Sequence, residues 1–247
     1  MKKVTLSVVV AAACLVFAGV AAAQMAPSLN EVVMNDTSGD DHEFVEICGE
    51  PGTDLTGYTV IVIEGEGTSA GLIDRAFALT GVIGASGFYT LGDAAVNPDQ
   101  IKGDTIENGA NTILLVTNFS GNVGQDLDAD NDCVEDGPFP GTIVDGVATA
   151  KPSSNDCSYY GVPVLGPDTG DDGTADFDVA GVARCGDCDG DWGMICLNGT
   201  EPTDPGCDIN NAFNPYVVTY ASPGSGNLCS PVSVEDSSWG RIKSDYR

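Results

Sequence analysis

The stretch "GDDHEFVEICGEPG" (39–52) decides how the chain is read. His42, Glu43 and Glu46 spell H-E-x-x-E, one letter from the H-E-x-x-H that sets two zinc ligands and a general base on one helix face. That chemistry needs two helical turns. Turn formers fence the segment, "TSGDD" before it and "GEPG" after it, and only about six residues stand between them, too few for two turns. Residues 43–48 are rich in aromatic and β-branched side chains, the composition of a strand. His42 is also the sole histidine of the chain, so no second imidazole exists to complete a zinc centre. The stretch reads as a strand entered from a turn that carries His42.

Runs of the same kind recur on both sides. "LNEVVM" (29–34), "YTVIVI" (58–63), "AFALTGVI" (76–83), "GFYTLG" (87–92), "NTILLVT" (111–117), "GTIVDGVAT" (141–149) and "PYVVTYA" (215–221) are short, apolar and separated by Gly, Asn, Asp or Pro. No segment beyond the N-terminal apolar run shows a helical apolar stripe. Short strands at this spacing predict an all-β sandwich of two antiparallel sheets, with alternation burying one face of each strand (Val60 and Val62, or their neighbours) and exposing the other. Two regions break the rhythm: an acid-rich insertion at 121–140, and residues 150–214, which hold five cysteines and little apolar periodicity. A loop as long as the second needs staples to belong to a compact domain.

The N-terminus predicts export. Lys2 and Lys3 precede an apolar run over 4–20, and Ala21-Ala22-Ala23 follow, the layout of a secretory signal peptide cut after Ala23. A lipoprotein reading of "AAAC" (11–14) fits less well, because the apolar run continues past Cys14. No later run approaches the ~20 apolar residues of a membrane span. Losing 23 of 247 residues leaves 224, and losing the two lysines moves the formal charge from -28 to -30. Such a surface repels nucleic acid and attracts divalent cations, though exposed acids also serve solubility alone. Eight cysteines remain: Cys48, Cys133, Cys157, Cys185, Cys188, Cys196, Cys207 and Cys229. Their even number in an exported chain predicts disulfides, with the pairing open. For "CGDC" (185–188), bridging is the expectation, with a thiolate zinc site and a redox pair as alternatives.

The ordered pieces resemble a known family. "SLNEVV", "EFVEIC" and "DLTGYTV" follow one another as do the "(I/L)NE(V/I)", "EFVEL" and "dLsGwtl" elements of bacterial lamin-tail domains. Asn30-Glu31, Glu43-Phe44-Val45-Glu46 and Leu55-Thr56-Gly57-Tyr58 stand at the matching places. "GASGFYTLG", "TILLVTNFSG" with "TIVDGVAT", and the closing "ASPGSGN" (221–227) are similar to later pieces of the same pattern. The resemblance spans about residues 28–228 and departs in its cysteines and in the size of the second insertion. It implies an immunoglobulin-like β-sandwich; together with the cysteines and the N-terminal run, the expected organisation is a signal peptide at 1–23, a sandwich with long disulfide-stapled insertions over 24–228, and a tail at 229–247.

Chemistry concentrates in the acidic loops. In "DLDADNDCVEDG" (126–137), Asp126, Asp128, Asp130 and Asp132 alternate and Asp136 follows, a carboxylate spacing that a calcium ion with its six to eight oxygen ligands accepts. Asn131 and Gly137 occupy the places of the EF-hand's glycine and bidentate glutamate, so this is no EF-hand; a solvated acidic loop is the alternative. Asp187, Asp189 and Asp191 in "DCDGDWG" form a second, weaker calcium candidate, where a disulfide-pinned turn competes. "PDTGDDGTADFD" (167–178) is explained by turn propensity. Nucleophile elbow, P-loop and dinucleotide motifs are missing, and any Ser-His-Asp set would have to use His42. In the tail, Arg241, Lys243 and Arg247 gather with Trp239 and Tyr246, which suits a sorting or attachment tag or a terminus pairing with the acidic body. The sequence thus predicts an exported, non-catalytic adhesion, scaffold or binding module. It would be secreted or at the cell surface, with the periplasm as a further place, calcium-stabilised, and partnered by protein or polysaccharide. A secreted hydrolase, or an accessory to one, using loop acids is the rival expectation.

Overall fold

The computed structural model describes residues 25–34, 41–103, 106–150, 156–166, 179–195, 216–218, 221–227 and 229–231. The expected signal peptide at 1–23, the 167–178 acids, Cys196, Cys207 and the tail beyond 231 lie outside them. Thirteen strands are described: β1 Ser28–Val33, β2 Phe44–Cys48, β3 Tyr58–Glu64, β4 Ile73–Ala78, β5 Phe88–Gly92, β6 Gln100–Ile101, β7 Asn111–Thr117, β8 Thr142–Thr149, β9 Val164–Leu165, β10 Gly181–Cys185, β11 Asp191–Ile195, β12 Tyr216–Val218 and β13 Cys229–Pro231. They form two sheets, β13-β12-β11-β10-β1-β2-β5-β6 and β4-β3-β7-β8-β9. Pairing is mostly antiparallel, with short parallel contacts at β5–β6, β8–β9 and β11–β12. The expected all-β sandwich is the fold.

Between the sheets lies the main core. Leu29, Val32, Val45 and Ile47 of the larger sheet meet Val60, Val62, Ile113, Leu115 and Val147 of the smaller, all fully buried. In β2, β3 and β7 this alternation follows from the two-residue period of a strand, and in β1 a register shift between Leu29 and Glu31 lets Leu29 and Val32, three residues apart, both face inward. Against the expectation that alternation exposes the other face of each strand, the outer face of β3 and β7 is covered, while β8 keeps Thr142 and Val144 exposed. Ile61, Ile63, Leu114 and Val116, on the outer face of the smaller sheet, are also fully buried, beneath Leu127 of the first insertion and Cys157 and Tyr159 of the second. A strand covered on both faces has no polar register to keep, which is why "TVIVI" and "TILLV" run apolar without a break.

The second insertion also holds more structure than its composition suggests. β10 and β11 form a hairpin turning through residues 186–190, and β10 pairs with β1, so the segment widens the larger sheet. The run expected at 76–83 shifts too, since β4 ends at Ala78. Cys48–Cys188 and Cys133–Cys157 are disulfides, with Cα separations of 5.4 and 5.0 Å, and Cys185 is disulfide-bonded as well. Because Cys188 bonds Cys48 and Cys185 is also oxidised, "CGDC" is neither a closed redox pair nor a set of zinc thiolates; it is a stapled hairpin turn.

Candidate functional site: carboxylates beneath the inserted loops

Among the described residues, four groups of acids differ in what they hold. The first sits on the outer face of the larger sheet. Glu31 of β1 and Glu46 of β2 are direct cross-strand partners, and both are fully buried. The loop 222–227 closes over them. The Ser222 N–H donates to both Glu31 oxygens at 3.1 Å, the Gly224 N–H donates to Glu46 Oε2, and the Asn30 amide donates to Glu46 Oε1 at 2.8 Å. Asp187, in the 186–190 turn, accepts the Asn227 N–H at 2.8 Å, and the Asn227 amide reaches back to the carbonyls of Asn30 and Arg184. Burial is the main force raising the Glu31 pKa to about 8, with the facing Glu46 adding to it. Burial likewise takes Glu46 to about 7, against the pull of the Asn30 and Gly224 bonds. The site therefore clamps a loop, with its acids held near neutrality by lost hydration.

At the other end of "HEFVE", the three letters that mimic a zinc motif separate. His42 is exposed and its Nδ1 meets Asp41 Oδ1 at 2.6 Å. Glu43 and Glu46 are three residues apart on extended chain and so face opposite ways. Glu43 is buried against Lys102, whose Nζ lies 2.6 Å from Glu43 Oε2 and 2.8 Å from Asp93 Oδ1. The Ile106 N–H also donates to Glu43 Oε2, at 2.7 Å.

The calcium candidates divide. Asp128 is fully buried and spends its carboxylate inside the protein: Oδ1 accepts the Asp132 N–H at 3.1 Å, and Oδ2 accepts the Cys133 N–H at 3.0 Å and the Tyr159 hydroxyl at 2.9 Å. Gly71, at φ 86°, packs against it so closely that a Cβ there would stand 2.6 Å from the Asp128 Cβ. Asp126 Oδ1 accepts the Asp128 N–H and Asp136 Oδ2 the Ala129 N–H, so both organise the turn. Among the described residues, Asp128, Asp130 and Asp132 are the group whose carboxylate oxygens lie within 4.8 Å of one another. Asp130 and Asp132 are exposed, and the Asp132 charge raises the Asp130 pKa most. In the second candidate, Asp187 is committed to Asn227, and Asp189 and Asp191 do not join it in such a group.

The fourth group was not legible in the sequence. Glu64, Glu66, Asp74 and Glu107, with Ser69 and Leu72, line a cavity of about 230 Å³. Glu64 Oε1 accepts the Glu66 N–H at 2.9 Å, and Glu66 Oε1 accepts the Ala110 N–H at 2.9 Å. Burial, then the neighbouring Glu107 and Glu66 carboxylates, lift the Glu64 pKa to about 7. Spacings of two, eight and thirty-three residues carry no motif; Gly71 and the turn at Gly67–Ser69 bring β3 and β4 back together and so make the wall.

Fold and sites together define a β-sandwich whose inserted loops are anchored by buried acids and disulfides. No family model, curated protein or solved structure matches the chain.

Proposed function

We propose that this chain is an exported, non-catalytic module of the lamin-tail type, an extracellular or envelope scaffold that presents loops from a rigid sandwich. The observation that carries this reading is the use made of the family-like motif residues. Asn30, Glu31, Glu46 and the "SPGSGN" loop, far apart in sequence, meet in one clamp and are consumed by internal hydrogen bonds. Residues spent in this way hold a framework and leave recognition to the loops it carries. The disulfides fit an oxidising compartment, and among the described residues no helix is long and apolar enough to cross a membrane. The partner class is protein or surface polysaccharide; the strongly negative charge argues against nucleic acid. Localisation of a tagged full-length chain by cell fractionation tests the export: recovery in the medium or envelope supports it, and retention in the cytoplasm contradicts it.

Calcium belongs to the same proposal, at Asp130 and Asp132 with the Asp128 oxygens beside them. Calorimetric titration of the native chain is expected to give saturable heat in the ~0.1–1 mM range usual for extracellular modules. D130N and D132N, which touch exposed side chains and leave Asp128 in place, should abolish it. Absence of heat at millimolar calcium removes the metal from the account.

A second reading has one observation in its favour. The cavity lined by Glu64, Glu66, Asp74 and Glu107 offers a carboxyl near neutrality beside others, the pairing a glycoside hydrolase uses. Turnover of a polysaccharide panel that is lost in E64Q and E107Q would establish it and displace the non-catalytic reading.

A further inference from the structure

Lys102 follows β6 and sits sealed in the interior, its side chain 1% exposed. Among the described residues, two carboxyl groups meet its nitrogen, and they are prepared differently. Asp93, after β5, offers Oδ1 to Nζ at 2.8 Å while its Oδ2 accepts the Glu43 backbone N–H at 2.9 Å. A fixed amide donor thus polarises one oxygen of the same carboxyl that faces the amine. Glu43, entering β2, holds Oε2 2.6 Å from Nζ, and its Oε1 is buried with no hydrogen-bond partner. Burial raises the Glu43 pKa despite the Lys102 and Ile106 bonds that lower it, so this carboxyl takes up a proton readily. A nucleophile, a carboxyl with an N–H aimed at its oxygen, and a buried proton carrier touching the nucleophile are the parts of an acyl-transfer site. Three strand ends hold them in register, and holding reacting groups together in this way lowers the barrier to an intramolecular step.

We propose that Lys102 and Asp93 condense to an intramolecular amide, with Glu43 carrying the protons. Two protons pass in succession from Nζ through Glu43 to Asp93 Oδ1. The Nζ lone pair forms the bond to Cγ, the developing charge rests on Oδ2 against the Glu43 N–H, and the Cγ–Oδ1 bond breaks to release Oδ1 as water. One ammonium and one carboxylate become one amide and one water; nothing is oxidised or reduced, and no co-reactant enters. The product is a covalent clasp between the ends of β5 and β6, independent of the redox state that governs the disulfides.

Intact-mass spectrometry of the full chain, reduced and alkylated, tests this. The expected mass is one water below that of the same chain's sequence after any signal-peptide removal, and trypsin, which cuts after Arg75, no longer cuts after Lys102. Fragmentation should place the lost water within residues 93–102. K102R and E43Q should keep the full mass, and K102R separates the clasp from aspartyl imide formation, which loses water without a lysine. A wild-type chain at full mass with cleavage after Lys102 overturns the proposal. So does a water loss that survives K102R, or a branched peptide through Glu43 instead of Asp93. The wild-type mass is decisive whether or not a variant folds.

Discussion

Glu31 and Glu46 stand opposite each other on adjacent strands, and loss of water is what sets their chemistry. Each has a folded pKa raised above the ordinary 4.5, so the folded chain holds more protons than the unfolded chain between about pH 4.5 and about pH 8. Their contribution to stability is fully present below about pH 4.5 and is lost as pH rises through about 7 and about 8. Urea midpoints measured across that window should fall with rising pH, and E31Q should flatten the slope; a midpoint that climbs through the same window contradicts the assignment. Asp128 behaves oppositely to its neighbour Asp130. D128N leaves two backbone donors and the Tyr159 hydroxyl competing for one oxygen, and should cost about 2–3 kcal/mol by urea unfolding. D130N, at an exposed carboxyl crowded by Asp132, should leave stability unchanged or raise it slightly. Alternating aspartates read as four equal calcium ligands in the sequence; burial, which only the fold supplies, makes one of them structural.

β3 and β7 show what a strand pattern reveals and what it hides. Their composition marks them as strands, yet alternation predicts one wet face, and Ile61, Ile63, Leu114 and Val116 have none. The signal for two-sided burial was present in the unbroken runs "TVIVI" and "TILLV", but what covers the second face is an insertion whose own sequence looks like turn and acid. Ile61→Ala is therefore expected to cost about 2–4 kcal/mol in chemical denaturation, as a core position does, whereas a solvent-facing residue would change stability by under ~0.5 kcal/mol. The covering insertion is tied down by Cys133–Cys157, which closes a separation of 24 residues. Loop-closure entropy assigns it about 3.5 kcal/mol, and the C133A/C157A pair should lose that much in thermal or urea unfolding. The β10–β11 hairpin escaped notice because its turn, "GDCDG", dominates the composition of a segment whose strands are only five residues each.

Across the whole molecule, the sandwich was readable from strand-forming runs and their order along the chain. The meeting of those pieces was not readable. Nothing in "NE", "EFVE" or "SPGSGN" announces that they share one buried clamp, because their contacts span up to 197 residues of chain. The Glu64 cavity was hidden for the same reason, since separate elements each contribute isolated acids to it. What unites the molecule is that its excursions are sewn over the outer faces of both sheets: Cys48–Cys188 pins the 186–190 turn across a separation of 140 residues, and Cys133–Cys157 fastens one insertion to the other. Mapping the disulfides of the native chain by non-reducing peptide mass spectrometry tests that arrangement. Peptides joined through Cys48–Cys188 and through Cys133–Cys157 are expected; a Cys185–Cys188 bridge, or free thiols at Cys48, Cys133, Cys157 and Cys188, would contradict the stapled sandwich.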